Sequence, residues 1–342
     1  MLRCSVVILN WNGEKMLRQY LPTVLEYTKN PDVEIVVADN GSTDGSLSYL
    51  QNQPIRIIKL DQNYGFAEGY NRAIGQVDAE YVVLLNSDVE VTPRWLDLML
   101  DYMDAHPETL AVQPKILSWN SKQEYDSGKR AAICFEHAGA AGGMMDILGY
   151  PYCRGRLMSH IEEDHGQYDE IAPIFWATGA CLLTRTHIYK ELGGLDANFF
   201  AHQEEIDLCW RMLNNAQSTG NVPILVSISQ SVVYHLGGGT LGYENPRKTF
   251  LNFRNNLLML YKNLPSSHRW WIMLVRLVMD YVAAMQMLLT GQWENVKAVF
   301  KARYAFHKMK INYRHIKRPL HLPKVISHRS IVWDYYVRKK KV

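Results

Sequence analysis

Four short runs of β-branched and aliphatic residues, Cys4 to Leu9, Val33 to Ala38, Ile55 to Leu60 and Tyr81 to Leu85, constrain this chain more than any other feature. Segments of helical character separate them, from about Gly13 to Thr28, Asp44 to Asn52 and Gly65 to Gln76. Short buried strands alternating with helices predict a mostly parallel sheet covered on both faces. Each run ends on polar residues: Asn10, Trp11 and Asn12; Asp39, Asn40, Gly41 and Ser42; Asn63, Gly65 and Phe66; Asn86, Ser87 and Asp88. In open α/β sheets ligands sit in the crevice beyond the carboxyl ends of strands. Four polar clusters on one edge therefore predict one shared site, with Asp39 and Asp88 facing the same cleft.

The chemistry open to such a site is narrowed by what is missing. The first turn, Leu9-Asn10-Trp11-Asn12-Gly13, lacks the GxGxxG of dinucleotide folds, and no Walker loop is present. Amides and carboxylates suit a base and ribose read by hydrogen bonds, with a divalent cation on the phosphates. A nucleotidyltransferase would need a glycine-rich triphosphate loop after the first strand, which is absent. A non-catalytic nucleotide-sugar or membrane-binding protein is the alternative from a different class.

Further along, Thr92-Pro93-Arg94-Trp95 is expected to open a helix to about Ala105, with proline at its first position. Residues 112–175 are irregular and predict loops and short strands. Ile174 to Thr184 and Val222 to Val233 are strand-like, a helix is expected from Glu204, and everything from Pro246 onward is expected to be helical.

The formal net charge of +3 hides a division. Of 37 Lys and Arg, 13 lie from Lys301 on, where Asp334 is the only acid among the chain's 34. An acidic body with a basic tail suits an anionic surface or ligand. Residues 270–290 are long enough to span a bilayer, but Arg276 and Asp280 sit inside, four apart and able to pair. Charges at mid-depth disfavour a span, so an interfacial or packed helix is expected. Five widely spaced cysteines without a CxxC pair, and an N-terminal apolar stretch too short for a signal peptide, predict a cytoplasmic protein, peripheral at the inner face of the plasma membrane. No nucleic-acid partner is expected.

Six blocks, in order, resemble glycosyltransferase family 2: Ser5 to Asn12, Val37 to Ser46, Asn63 to Asn71, Leu84 to Asp88, Gly179 to Leu183 and Phe199 to Arg211. The resemblance covers roughly residues 4 to 262, and its nearest flavour is the rhamnosyltransferase-like branch. It implies a GT-A nucleotide-diphospho-sugar transferase fold, mostly parallel sheet flanked by helices, with a C-terminal helical extension. It divides the chain into a donor-binding half (1–111), an acceptor-binding half (112–262) and a basic helical extension (263–342). It implies inverting, metal-assisted transfer from a nucleoside-diphosphate sugar, with a dTDP or UDP donor and a saccharide or polyprenyl-diphosphate-linked acceptor. Asp39 would read the base or ribose, with Asn10 and Asn12 beside it and Asn63 and Gly65 on the donor. Asn86-Ser87-Asp88 occupies the place of the family's DxD motif, so Asp88 would hold Mg or Mn while Asn86 replaces an aspartate. Glu205 would be the base, with Glu204 its rival. His235, before Gly237-Gly238-Gly239-Thr240, would bind the metal or the diphosphate, and Arg254 the diphosphate. No QxxRW block marks a processive synthase.

Overall fold

The computed structural model describes residues 2–218, 224–237 and 245–340. The chain opens as β1 (Leu2–Asn10), α1 (Glu14–Tyr27), β2 (Val33–Asn40), α2 (Ser46–Leu50), β3 (Arg56–Leu60), α3 (Gly65–Ile74) and β4 (Ala79–Asn86). All seven match the expected elements to within a few residues. β1 pairs in parallel with β2 and β4, and β2 with β3. Alternate residues feed opposite cores, because side chains along a strand point to alternate faces. Val6, Ile8 and Val37 pack on one side of the sheet, and Val7, Val36 and Ala38 on the other.

After β5 (Val89–Val91) comes α4 (Trp95–Ala105), which corrects one expectation. Arg94 is left-handed at φ 63°, so Pro93 lies in the turn before the helix and not at its first position. The next correction is larger, because residues expected to be irregular form β6 (Thr109–Ser118), a strand inside the main sheet. Gln113, Pro114 and Lys115 disguised it. Pro114 sits where the register with the next strand jumps from Ile228↔Pro114 to Val232↔Lys115, a bulge that tolerates proline. Gln113 accepts from the Thr178 amide at 3.0 Å, and Lys115 reaches Asp164 at 2.9 Å. Tertiary partners thus satisfy polar groups that local patterning counts against a strand.

α5 (Trp119–Asp126) leads into a separate four-stranded antiparallel sheet of β7 (Gly143–Met145), β8 (Pro151–Cys153), β9 (Arg156–Leu157) and β10 (His160–Ile161). The run expected from Ile174 to Thr184 is two strands, β11 (Ala172–Ile174) and β12 (Cys181–Arg185), with a loop between. Then come α6 (Thr186–Glu191), α7 (Glu204–Ser218) and β13 (Ile224–His235). The nine-stranded sheet runs β11-β13-β6-β12-β4-β1-β2-β3, with β5 on β13. Residues 1–111 and 112–262 therefore contribute strands to one sheet.

Three helices follow, α8 (Pro246–Asn263), α9 (Ser266–Leu289) and α10 (Trp293–Met309). Helix does not continue to the end: residues 314–330 are non-helical, before a short α11 (Ile331–Tyr336). Arg276 and Asp280 of α9 pair at 3.5 Å, and Arg303 of α10 reaches Asp280 at 2.6 Å. All three are buried. α9 therefore turns its charges inward and leaves much of its apolar surface outside.

Candidate active site

The register of the parallel strands builds the first part of the site. Asn10 lies beside Asp39, and Leu9 beside Asn86, so the ends of β1, β2 and β4 share one rim. Asn10 is buried and donates through Nδ2 to Asp39 Oδ2 (3.0 Å) and Ser42 Oγ (3.2 Å). Asp39 Oδ1 accepts from the Ser42 amide at 2.9 Å, closing a tight turn. Asn12 accepts from the Thr43 amide at 2.7 Å and laces the first loop to the second. Asp44 caps two helices, accepting from the amides of Glu14 and Ser46, each at 3.0 Å.

The third loop is tied by Asn40, which accepts from the Tyr64 amide and donates to the Gly65 carbonyl, both at 3.0 Å. Asn63 accepts from the Gly65 amide at 2.8 Å, an Asx turn that starts α3. Gly65 has a structural reason to be glycine. Its φ is 78°, and a Cβ there would lie 2.7 Å from the Phe200 ring. The fourth loop touches the first at Gly13, where a Cβ would collide with Asn10 Oδ1 and stand 3.8 Å from Ser87 Oγ. The four loops thus follow one another along one edge, the second touching the first and third and the fourth lying beside the first.

Asp88 acquires its partner from far along the chain. β5 pairs with the end of β13, Val89 opposite His235, which brings His235 Nε2 to 3.2 Å from Asp88 Oδ1. Asn86 Nδ2 lies 3.5 Å from the same nitrogen. Burial works against the Asp88 charge, but His235 outweighs it and holds the carboxyl below its usual range. Burial likewise opposes protonation of His235, and Asp88 and Glu136 reverse that, so the imidazole is raised. The Asp88 carboxylate and the His235 ring thus favour each other's charged forms across 3.2 Å. A carboxylate, an imidazole and an amide form a donor set a hard divalent ion can use, if diphosphate oxygens complete the shell. Among the described residues no group of three His, Cys, Asp or Glu could hold a metal alone.

Glu204 and Glu205 begin α7, and the structure treats them differently. Glu204 is buried at 4% exposure, whereas Glu205 is partly open. One oxygen of each, Oε2, is buried without a partner among the described residues. Burial raises both carboxyls, Glu205 to about 7 and Glu204 well above its usual range, the latter also through Glu205 itself. Glu205 lies against the β4 rim through one short segment. A Cβ on Gly179 would sit 3.7 Å from Glu205 Cβ and 3.3 Å from Phe66, and the next carbonyl, Ala180, accepts from the Asn86 amide at 3.0 Å.

The loop before Glu204 is strained. Phe200, His202 and Gln203 are left-handed, with φ of 66°, 71° and 70°. Three consecutive residues of α8 hold it there. Arg254 donates to the carbonyls of Asn198 (3.1 Å) and Phe199 (2.9 Å), and Asn255 to those of Phe199, Ala201 and His202 (2.8–3.0 Å). Asn256 reaches Gln203 Oε1 at 3.0 Å. Arg254, expected at the diphosphate, thus has Nη2 committed to this loop and Nε to Asn255 Oδ1 (2.9 Å). Phe200 in turn accepts from the Phe66 amide at 3.0 Å, joining the starts of α3 and α7. A buried ion cluster fixes α7 to α8: Asp207 bonds Arg211 (2.8 Å), Lys262 (2.8 Å) and Asn263 (2.7 Å).

Gly237 of the glycine run is described, while Gly238, Gly239 and Thr240 lie outside the described residues. Sequence reading missed Asn255, Asn256 and Glu136. The adjacent amides in Phe253-Arg254-Asn255-Asn256 were a usable signal, since consecutive Asn residues are poor helix formers and need another reason to be there. Glu136 carried none.

The sequence model of glycosyl transferase family 2 matches residues 5–152. The N-acetylglucosaminyl-diphospho-decaprenol L-rhamnosyltransferase of Mycobacterium tuberculosis is 28% identical over 216 residues, 59% of this chain and 68% of that protein. Among solved structures, GalNAc-T7 with UDP, GalNAc and Mn2+ superposes with a TM-score of 0.57 at 14% identity, over 92% of this chain and 56% of that one. The mannosyltransferase PcManGT of Pyrobaculum calidifontis, in complex with GDP-Man and Mn2+, gives 0.53 at 14% identity, over 89% and 87%. At such identities the structures speak for the fold alone, and the sequence matches show similarity. The chain is similar to glycosyltransferase family 2 over residues 5–152 and to a rhamnosyltransferase over 59% of its length, and it is a glycosyltransferase of GT-A fold.

Proposed function

We propose that this glycosyltransferase moves a sugar, with inversion, from a nucleoside-diphosphate sugar to a hydroxyl of a saccharide or polyprenyl-diphosphate-linked acceptor in cell-surface polysaccharide synthesis. The observation that carries the reading is Glu205: a carboxylate at the cleft with one oxygen unpaired and an affinity for protons near neutrality. A base of that kind is matched to its task. Glu205 takes the proton as the acceptor oxygen bonds to the anomeric carbon. The bond from that carbon to the diphosphate breaks on the opposite side, and the nucleoside diphosphate leaves with the electron pair. Asp88 and His235, with Asn86 near them, are the residues to hold Mg or Mn. The ion supplies Lewis-acid neutralisation of charge on the leaving diphosphate. Asn10, Asn12, Asp39, Asn63 and Gly65 shape the nucleoside pocket, where Asp39 keeps free lone pairs for base or ribose donors. The name of the mycobacterial relative favours a rhamnosyl donor and a lipid-diphosphate-linked acceptor, and the donor proposed is a dTDP or UDP sugar.

The test is a panel of sugar nucleotides offered with a short-chain prenyl-diphosphate saccharide and Mn2+ or Mg2+. Nucleoside diphosphate release and the anomeric configuration of the product are measured. Inverted product supports the reading, and retained configuration defeats it.

A peripheral position on the inner face of the plasma membrane is part of the same proposal. The outer stripe of α9 carries Trp270, Leu274, Val278, Val282, Met285 and Leu289, all exposed, with Trp270 at 69% and Leu289 at 81%. α10 continues it with exposed Trp293, Phe300 and Tyr304 between exposed Lys297, Lys301 and Lys308. Aromatic residues among lysines suit the headgroup layer of an anionic bilayer. Flotation with phosphatidylglycerol vesicles tests it, and a Trp270→Ser, Leu289→Ser protein should stay in the soluble fraction.

A further inference from the structure

The turn that enters α7 is more costly than a helix start requires. One side chain accepting an amide is enough to begin a helix. Here Phe200 stands at φ 66°, ψ −58°, and the Ala201 amide donates across it to the Phe199 carbonyl at 2.8 Å. That is a γ-turn of the rare, strained form. His202 and Gln203 follow at φ 71° and 70°. Three residues with side chains thus occupy backbone regions in which Cβ is crowded, and such strain persists only where the surroundings over-determine it.

That determination converges on Asn255, a fully buried residue of α8. Its Nδ2 donates to the carbonyls of Phe199 (3.0 Å), Ala201 (2.9 Å) and His202 (2.8 Å), so two hydrogens serve three acceptors. Its Oδ1 accepts from Arg254 Nε at 2.9 Å. Both ends of the amide are committed, and its orientation is fixed, because the reverse would set Oδ1 against three carbonyl oxygens. The third rim loop holds the other side of the turn: the Phe200 carbonyl accepts from the amides of Phe66 (3.0 Å) and Ala67 (3.4 Å), just after Gly65. Gln203 then leads into α7, its carbonyl accepting from the Asp207 amide at 2.9 Å. The Gln203 side chain lies between the Asn252 carbonyl (3.3 Å) and Asn256 Nδ2 (3.0 Å). Glu205 is three residues past the last carbonyl that Asn255 holds.

We propose that Asn255 is the positioning residue of the catalytic base: it holds the γ-turn that sets Glu205 at a fixed distance from the third rim loop, and so from the donor sugar. This role rests on the function given above, in which Glu205 takes the acceptor proton. The route is short. Asn255 fixes the turn, the turn is bonded to the start of α3, and Phe66 of that helix meets Gly179 beside Glu205. A base aimed at a bond-forming oxygen needs such support, since a misplacement of about 1 Å costs about 10²-fold in rate.

The test compares the native chain with Asn255→Ala, the milder Arg254→Lys, and Asn263→Ala. The last removes a 2.7 Å bond to Asp207 that ties α7 to α8, and leaves the turn alone. Thermal midpoints establish that each variant folds, and Arg254→Lys carries the comparison if Asn255→Ala does not. Turnover is followed on the sugar nucleotide that the native protein uses fastest. In Asn255→Ala kcat should fall about 10²-fold, while UDP or dTDP, whichever that donor carries, binds within about twofold of native by calorimetry with Mn2+. Arg254→Lys should move kcat the same way by about tenfold, and Asn263→Ala should melt lower with kcat unchanged. The Glu205 carboxyl gives a readout that needs no substrate. Its carbon-13 resonance, assigned by its loss in Glu205→Gln, should titrate at about 7 in the native protein. In Asn255→Ala it should titrate at least about one pH unit lower, because a relaxed turn admits water to a group that burial raises. Glu204 and Cys209, both on α7, are the titratable groups on which its charge acts, while Phe66 and Gly179 beside it carry none. Four results would each overturn the role: near-native kcat in folded Asn255→Ala, nucleotide binding that weakens in step with kcat, an equal loss in Asn263→Ala, or a carboxyl midpoint that does not move. A native protein that turns over no donor counts against glycosyl transfer, and the carboxyl midpoint then decides on its own whether Asn255 sets Glu205.

Discussion

Two ends of one cleft hold carboxylates in opposite states. At the β4 end Asp88 has His235 at 3.2 Å and stays ionised below its usual range. At the start of α7 Glu205 has an unpaired oxygen, and burial lifts it to about 7. The same functional group becomes a fixed negative charge in one place and a proton acceptor in the other. What differs is the partner supplied, and environments that push two acids apart assign their roles. Asp207, two residues beyond Glu205, repeats the paired case: it is fully buried, yet Lys262 and Arg211 hold its carboxyl low against burial.

Removing the unpaired acid is the sharpest way to break that comparison. Glu205→Gln should cut kcat by about 10²–10⁴-fold, the usual worth of a positioned base, with donor binding nearly intact by calorimetry. Near-normal turnover would return the role to Glu204. The same variant should melt no lower than the native protein at pH 8. A raised folded pKa stabilises below the unfolded value near 4.5, and that contribution is lost as pH rises through about 7, so at pH 8 the native carboxylate only costs.

Asp207→Ala should behave in the opposite way. It leaves Lys262 buried with Asp196 alone and Arg211 half-buried beside a gap, a loss of about 3 kcal/mol by denaturant titration. A stable Asp207→Ala protein would show that the paired acids are not what anchors α7. Next in size, kcat at saturating substrate should fall about tenfold per pH unit below about 7, as Glu205 takes up its proton, and level off above. A profile flat from pH 5 to 8 would mean that Glu205 is not the titrating base. The smallest effect is expected from Glu204→Gln: less than tenfold in kcat at pH 8, with the acidic limb still near pH 7, because burial raises the Glu205 carboxyl.

The first hundred residues were legible because their order is local. β-branched runs are set by neighbours within four or five positions, so the ends of β1 to β4 could be read directly. Legibility failed where a residue's state depends on distant partners. Gln113 and Lys115 looked wrong for a strand until Thr178 and Asp164 met them. Pro93 signalled a helix start, but Arg94 took the left-handed turn.

The sequence by itself determined the alternation that forces a two-faced sheet and the polar loops gathered along its edge. It also placed the acids at positions 39, 88, 204 and 205. Only the tertiary structure decided which of those acids are paired. Asp88 meets His235 because β5 lies on β13, and the strained loop keeps its shape because α8 packs against it. These are contacts between residues dozens to more than a hundred positions apart, and their protonation follows from burial and partners, neither of which leaves a mark on nearby sequence.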